Sequence, residues 1–95
     1  MAAYVIANID VKDPVGYEEY RKLAAPSIEK YGGRYIVRGG NFQAREGRWK
    51  PARLAVIEFA SAEQARHWYH SEEYAKAKPI RLRTAETDLV NVEGV

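Results

Sequence analysis

The 95-residue chain has no cysteine, no long apolar run and no large excess of charge of either sign. Without cysteine the chain has no disulfide, no thiol nucleophile and no thiolate ligand for a metal. The absence of disulfides fits a reducing compartment. The opening segment MAAYVIANIDV has no basic start, and Asn8 and Asp10 interrupt its apolar residues. Such a segment is neither a signal peptide nor a membrane span. The sequence therefore predicts a cytoplasmic protein with no membrane partner.

The balance of charge and apolar residues is that of one globular domain. Fifteen lysines and arginines against 13 aspartates and glutamates give a net charge of +2. This excess is too small to indicate a nucleic-acid partner by itself. Hydrophobic residues make up 46% of the chain, which argues against disorder, and 95 residues allow a single core. Residues 1–95 are therefore predicted to form a single domain.

Hydrophobic periodicity predicts four strands with helices between them. The predicted strands cover residues 4–11, 34–38, 54–59 and 86–92. Their order with the helices is β-α-β-β-α-β, which is that of the ferredoxin-like fold. The predicted architecture is α+β, a four-stranded antiparallel sheet with the helices on one face.

Glycine and proline mark the expected ends and irregularities of these elements. Gly32-Gly33 is predicted to end the first helix with a left-handed residue, and Gly39-Gly40 to form a bulge in a strand that continues beyond it. Glu46-Gly47 is expected at the tip of a hairpin. Ser71 is expected to cap a short helix, after which Pro79 starts or kinks another turn.

The first and third strands are apolar on both faces. In the first strand one row is Val5, Ala7, Ile9 and Val11, and the other is Tyr4, Ile6, Asn8 and Asp10. The uniformly apolar row is predicted to meet the helices, which leaves no helix to cover the other row. Exposing an apolar face to water is unfavourable by roughly 25 cal/mol per Å². A second copy packed sheet to sheet would bury it, which predicts a homodimer of the dimeric α/β-barrel type.

Three polar residues interrupt the rows predicted to face that second copy. They are Asn8 on the first strand, Arg38 on the second and Glu58 on the third. Unpaired buried polar groups are destabilising by about 1–3 kcal/mol each, so these groups need partners. Two interpretations stay open: an Arg38–Glu58 ion pair that fixes strand register, or a polar-floored pocket between sheet and partner.

Four segments carry a resemblance to a known family. They are YGGRYIVRGG, GRWKPARLAVIEF, SAEQARHWYHSEEY and the later Arg81. With these the chain resembles domain-of-unknown-function family 1330 in the dimeric α/β-barrel superfamily. The resemblance implies a ferredoxin-like homodimer. Relatives in the wider superfamily include cofactor-independent monooxygenases, haem-degrading enzymes, muconolactone-type isomerases and ligand-binding regulators, and the sequence does not select among them.

The second half of the chain contains further candidate residues. His67 and His70 have a helical spacing at which both could contact one metal, but further ligands are lacking and no metal site is predicted. Tyr74 with Arg81 could clamp a small carboxylate at the rim of the pocket. The alternative for Tyr74 is a hydroxyl bonded to backbone beside a solvated basic face.

The segment from residue 34 to residue 53 raises a nucleic-acid hypothesis. It has six basic residues and one acidic residue, interleaved with Tyr35, Phe42 and Trp49. Basic and aromatic residues on this fold suggest an RNA-recognition module. However, Tyr4 and Asn8 have the wrong spacing for that module's first-strand motif, and the third strand lacks paired stacking aromatics. This hypothesis ranks third.

The leading prediction is a homodimer that binds a small organic, anionic molecule without a cofactor. Asn8, Arg38 and Glu58 would form the floor of its pocket, with Tyr74 and Arg81 at the rim. The second hypothesis is a cofactor-independent enzyme, a monooxygenase or an isomerase, with Glu58 or His67 as the base.

Overall fold

The chain forms four strands and three helices in the computed structural model, which describes all residues 1–95. The elements are β1 (Ala3–Val11), α1 (Pro14–Lys30), β2 (Arg34–Arg38), β3 (Leu54–Phe59), α2 (Ala62–Tyr69), α3 (Glu72–Thr84) and β4 (Ala85–Glu93). The strands form one sheet in the order β2-β3-β1-β4, and every pair is antiparallel. The predicted ferredoxin-like fold is confirmed. None of the helices combines the length and apolar character needed to cross a membrane.

Helix α1 begins and ends as its capping residues predict, with one correction. The side chain of Asp13 accepts a hydrogen bond from the Gly16 backbone, and Gly32 has the left-handed φ of 79°. Gly33 does not have a positive φ. It is needed for a different reason, since a Cβ there would lie 2.5 Å from the ring of Phe59.

Helix α3 is continuous from Glu72 to Thr84, so Pro79 lies inside one helix and does not start a separate one after a short helix. Ser71 caps this helix by accepting a hydrogen bond from the backbone of Tyr74. Proline removes one backbone donor, but tertiary packing supplies most of a helix's stability in a protein. The buried Tyr74, Ala77 and Arg81 anchor α3 on both sides of the proline.

Strand β2 contains a β-bulge at Ile36, whereas the bulge was predicted at Gly39-Gly40. Tyr35 pairs with Ile57 on β3, but Val37 pairs with the adjacent Val56, so Ile36 is an extra residue. A bulge of this kind reverses the faces of all residues that follow. Arg38 therefore lies opposite the buried Ala55, on the helix-facing side of the sheet. The predicted extended segment after Gly39 is also wrong, because residues 39–53 contain no strand.

The two faces of the sheet differ as the alternation predicts. Val5, Ala7 and Ile9 of β1 and Ala55 and Ile57 of β3 are buried in the core beneath the helices. On the other side, one apolar row crosses all four strands: Val37, Val56, Ile6 and Val90. We call this side the open face, because no helix of the chain covers it.

Gly33→Ala should lower the free energy of unfolding by about 1–3 kcal/mol, because its Cβ would overpack the core against Phe59. Gly40→Ala is the matched control, since a Cβ there meets no atom within 4 Å, and it should change stability by no more than about 0.5 kcal/mol. Urea unfolding of the two variants measures the difference. Equal stability would contradict the close packing of this turn against β3.

Candidate functional site

A cavity lies between the helix-facing side of the sheet and the helices. Its floor is apolar and comes from three strands: Val5, Ala7, Ile9, Ala55, Ile57 and Leu89. Tyr17 and Tyr20 of α1 and Trp68 of α2 contribute aromatic walls. The enclosed volume is about 30 Å³, which is room for one or two water molecules. Any organic molecule would therefore enter by displacing side chains at the mouth.

Four arginines also line the cavity, and no aspartate or glutamate does. Arg21 and Arg38 are exposed, Arg53 is half-buried, and Arg81 is only 4% exposed. Only Arg21 has a carboxylate partner, Glu18, at 3.0 Å. The cavity, which we call the arginine pocket, is thus surrounded by uncompensated positive charge that extends from its mouth into the core.

Arg81 is the buried member of this set. Its Nε donates a hydrogen bond to the hydroxyl of Tyr74 at 3.2 Å, and the Tyr74 and Tyr20 hydroxyls are 2.9 Å apart. Burial acts to lower the pKa of Arg81, but the neighbouring tyrosine hydroxyls act to raise it, and the net direction is upward. The guanidinium stays charged although no carboxylate lies within ion-pair distance. A buried charge is normally paired, so this group lacks a counter-ion.

The tyrosines of the pocket remain neutral hydroxyls. Burial raises the pKa of Tyr17, with Arg53 and Arg21 acting against the rise. Burial also raises the pKa of Tyr20, and the adjacent Tyr74 raises it further. The arginines are therefore the only charges in the pocket at neutral pH.

The exposed Arg38 is held by an aromatic ring. Its guanidinium carbon lies 5.0 Å from the centroid of the Tyr35 ring, within the range of a cation–π contact. Such stacking leaves the edges of the guanidinium free to donate hydrogen bonds. The β2 bulge therefore gives the pocket a positioned donor at its mouth.

The structure brings only some of the predicted site residues together. Arg38 and Arg81 line the pocket, and Tyr74 lies behind Arg81 in the core rather than at a rim. The predicted Arg38–Glu58 ion pair is absent, because the bulge places these side chains on opposite faces. Arg34 pairs with Glu58 instead, with its Nε donating to the carboxylate at 2.9 Å. The Asn8 side chain accepts a hydrogen bond from the backbone of Ala52.

The two histidines lie away from the pocket. The His67 side chain is 55% exposed and lies 3.7 Å from Glu63 on the same helix. His70 is the residue that follows α2. No group of three histidine, aspartate or glutamate side chains in the chain could hold a metal ion.

Sequence reasoning missed several residues of the pocket. Tyr17, Tyr20 and Arg53 were not among the candidate site residues, and Arg53 counted only as one of the six basic residues of segment 34–53. The alternation of side chains along a strand could have placed Arg53 on the helix-facing side, because Arg53 precedes the buried Ala55 by two residues and so shares its face. By the same rule Thr87 shares the face of Leu89 on β4.

A family model described as domain of unknown function (DUF1330) matches residues 2–95. No curated protein matches the chain. A protein of unknown function from Rhodopseudomonas palustris is similar in structure, with a TM-score of 0.78 and 15% identity, covering 99% of this chain and 82% of that one. SnoaB, a cofactor-independent oxygenase from Streptomyces nogalater, has a TM-score of 0.72 and 9% identity, covering 99% of this chain and 93% of that one. At these identities the likeness shows the fold alone.

Proposed function

The chain belongs to the family of unknown function DUF1330, and for this protein we propose that it binds a small organic carboxylate in the arginine pocket. One observation carries the proposal: Arg81 is buried at 4% exposure and has no carboxylate partner. Arg38 and Arg53 lie along the same cavity, and no acidic residue does. A bound anion would supply the missing counter-ion.

The lining favours a ligand with a flat apolar body. Guanidinium groups bind carboxylates through two parallel hydrogen bonds, which orients a planar anion. Ala7 and Ala55 are small residues in the floor, and the rings of Tyr17 and Tyr35 also line the cavity. A strongly hydrated inorganic anion would gain nothing from this apolar surface, whereas the body of an aromatic or unsaturated acid would be buried by it.

A cofactor-independent enzyme is the second candidate, supported by the hydroxyl chain beside the pocket. Tyr20 lines the pocket and connects through Tyr74 to Arg81. The neutral Tyr20 hydroxyl could donate a hydrogen bond to a substrate oxygen on which negative charge develops. Glu58 and His67 do not line the pocket, so an enzyme acting there would use Tyr20 instead, as a neutral hydrogen-bond donor to the substrate.

A second copy of the chain is the proposed occupant of the open face. The row from Val37 to Val90 is apolar across all four strands, and no element of the chain covers it. A two-fold axis through this row would bring identical apolar surfaces together. The arginine pocket lies on the opposite face of the sheet, so each copy would keep its own pocket.

Arg81→Met should preserve or raise the melting temperature while abolishing the stabilisation by carboxylates. Methionine has a similar length and removes a buried unpaired charge. For the wild type, a carboxylate at one hundred times its Kd should add about 2.7 kcal/mol of stability. A thermal-shift screen of small carboxylic acids in low-chloride buffer measures this. Arg83→Met, an exposed site on the same helix, is the control and should respond like the wild type. An undiminished response of Arg81→Met would refute the assignment of the site.

Carboxylate affinity should be constant between about pH 6 and pH 9. Arginine stays protonated throughout, and a carboxylate ligand is ionised above about pH 5. The raised pKa values of Tyr17 and Tyr20 keep negative charge out of the pocket as the pH rises. Calorimetric titration at several pH values measures the profile. A loss of affinity as pH rises through about 6.5 would instead indicate a histidine, and therefore a site near α2.

Val90→Asp should convert a dimer into a folded monomer. Val90 is 57% exposed in the single chain, so a charge there harms the interface more than the core. Light scattering should report half the mass, with the circular dichroism spectrum unchanged. The control is Val15→Asp, at an 82% exposed position of α1, which should remain dimeric. A monomeric wild type at micromolar concentration would contradict the proposed assembly.

A further inference from the structure

The hydroxyl of Thr87 is the one buried side-chain polar atom in the chain that has no hydrogen-bond partner. Thr87 is on β4, and its side chain lines the arginine pocket. An unsatisfied buried hydroxyl is destabilising, so folded proteins contain few of them. Packing alone does not require the hydroxyl, because valine has the same shape and would leave no group unpaired.

Threonine hydroxyls commonly bond to nearby backbone, and another threonine of this chain does so. Thr84 donates to the carbonyl of Ile80 at 2.7 Å, one turn earlier in α3. Thr87 is in a strand whose carbonyl and amide groups are paired with β1, and its hydroxyl has no such bond. A partner from the pocket side would be either a water molecule held in the cavity or a polar group of a ligand that displaces it.

The position of Thr87 relative to the arginines follows from strand register. Thr87 pairs with Ile9 on β1, and the backbone amide of Ile9 donates to the carbonyl of Arg53 at 2.8 Å. Arg53, Ile9 and Thr87 therefore form one row across three strands on the helix-facing side. With strands about 4.8 Å apart, the Cα atoms of Arg53 and Thr87 are separated by about 10 Å. The row places a cation at one end and an unpaired hydroxyl at the other, with an apolar residue between them.

We propose that Thr87 is a specificity-determining residue that hydrogen-bonds a second polar group, a hydroxyl or a keto oxygen, on the bound carboxylate. The inference rests on the proposed function and narrows its ligand class to hydroxy and oxo carboxylates. The second polar group would lie within about 10 Å of the carboxylate, given the spacing of the row. A plain carboxylate could satisfy the arginines but would leave Thr87 unpaired, which is how a site selects against an analogue that lacks one polar group.

The test compares matched ligand pairs on the wild type and on three variants. The pairs are benzoate with 3- and 4-hydroxybenzoate, and phenylacetate with phenylglyoxylate, titrated by calorimetry. The wild type should bind at least one hydroxy or oxo acid about five- to tenfold more tightly than its plain counterpart, the size of one neutral hydrogen bond. Thr87→Val should remove this preference by weakening the substituted acid alone. Thr87→Ser should retain it, because serine keeps the hydroxyl.

Thr87→Val should also melt at or above the wild-type temperature, since an unpaired hydroxyl has been replaced by an isosteric methyl group. If the valine variant does not fold, Thr87→Ala should show the same loss of preference. A wild type that binds plain and substituted acids equally would overturn the inference and leave the proposed function standing. A preference that survives in Thr87→Val or Thr87→Ala would likewise overturn it. A wild type that binds no carboxylate at all would overturn both.

Discussion

The guanidinium of Arg81 is the group around which the interior of this protein is organised. It is only 4% exposed, with one hydrogen bond to Tyr74 and no carboxylate partner. The fold tolerates this charge because the surrounding core is well packed: the ring centroids of Trp68 and Tyr74 are 4.2 Å apart, and those of Phe59 and Trp68 are 5.6 Å apart. The same charge makes the cavity positive. A feature that lowers the stability of the fold therefore supports the proposed function.

One extra residue in β2 adds to the positive charge of the arginine pocket. Without the bulge at Ile36, Arg38 would follow the alternation of Arg34 and Ile36 and lie on the open face. With it, Arg38 stacks on Tyr35 at the mouth of the pocket, and Glu58 is paired by Arg34. A single inserted residue thus moves one cation from the open face to the arginine pocket.

Strand β4 contributes to both faces of the sheet through simple alternation. Thr87 and Leu89 point toward the arginine pocket, and Val90, on the other side, belongs to the open face. Because adjacent residues of a strand face opposite sides, the proposed ligand site and the proposed assembly surface are separated by the thickness of one sheet. A change in either could therefore alter the other through the backbone of β4 without any direct contact.

The sequence by itself determined the features that depend on neighbours within a few residues. The alternation of β1 and β3, the cap at Asp13 and the left-handed Gly32 were all readable, and so was the order of elements that defines the fold. The family resemblance was readable for the same reason, since it rests on local segments.

The tertiary structure alone decided what depends on pairing between distant segments. The position of the β2 bulge follows from register against β3, and the helix-facing position of Arg38 follows from the bulge. The same register places Arg34 opposite Glu58 and makes it the partner of that carboxylate. The continuity of α3 through Pro79 depends on Tyr74 and Arg81 packing in the core. The burial of Arg81 and the helix-facing position of Arg38 were not predicted, because burial of an arginine beneath a helix is set by what packs over it, and no local pattern in the sequence records that.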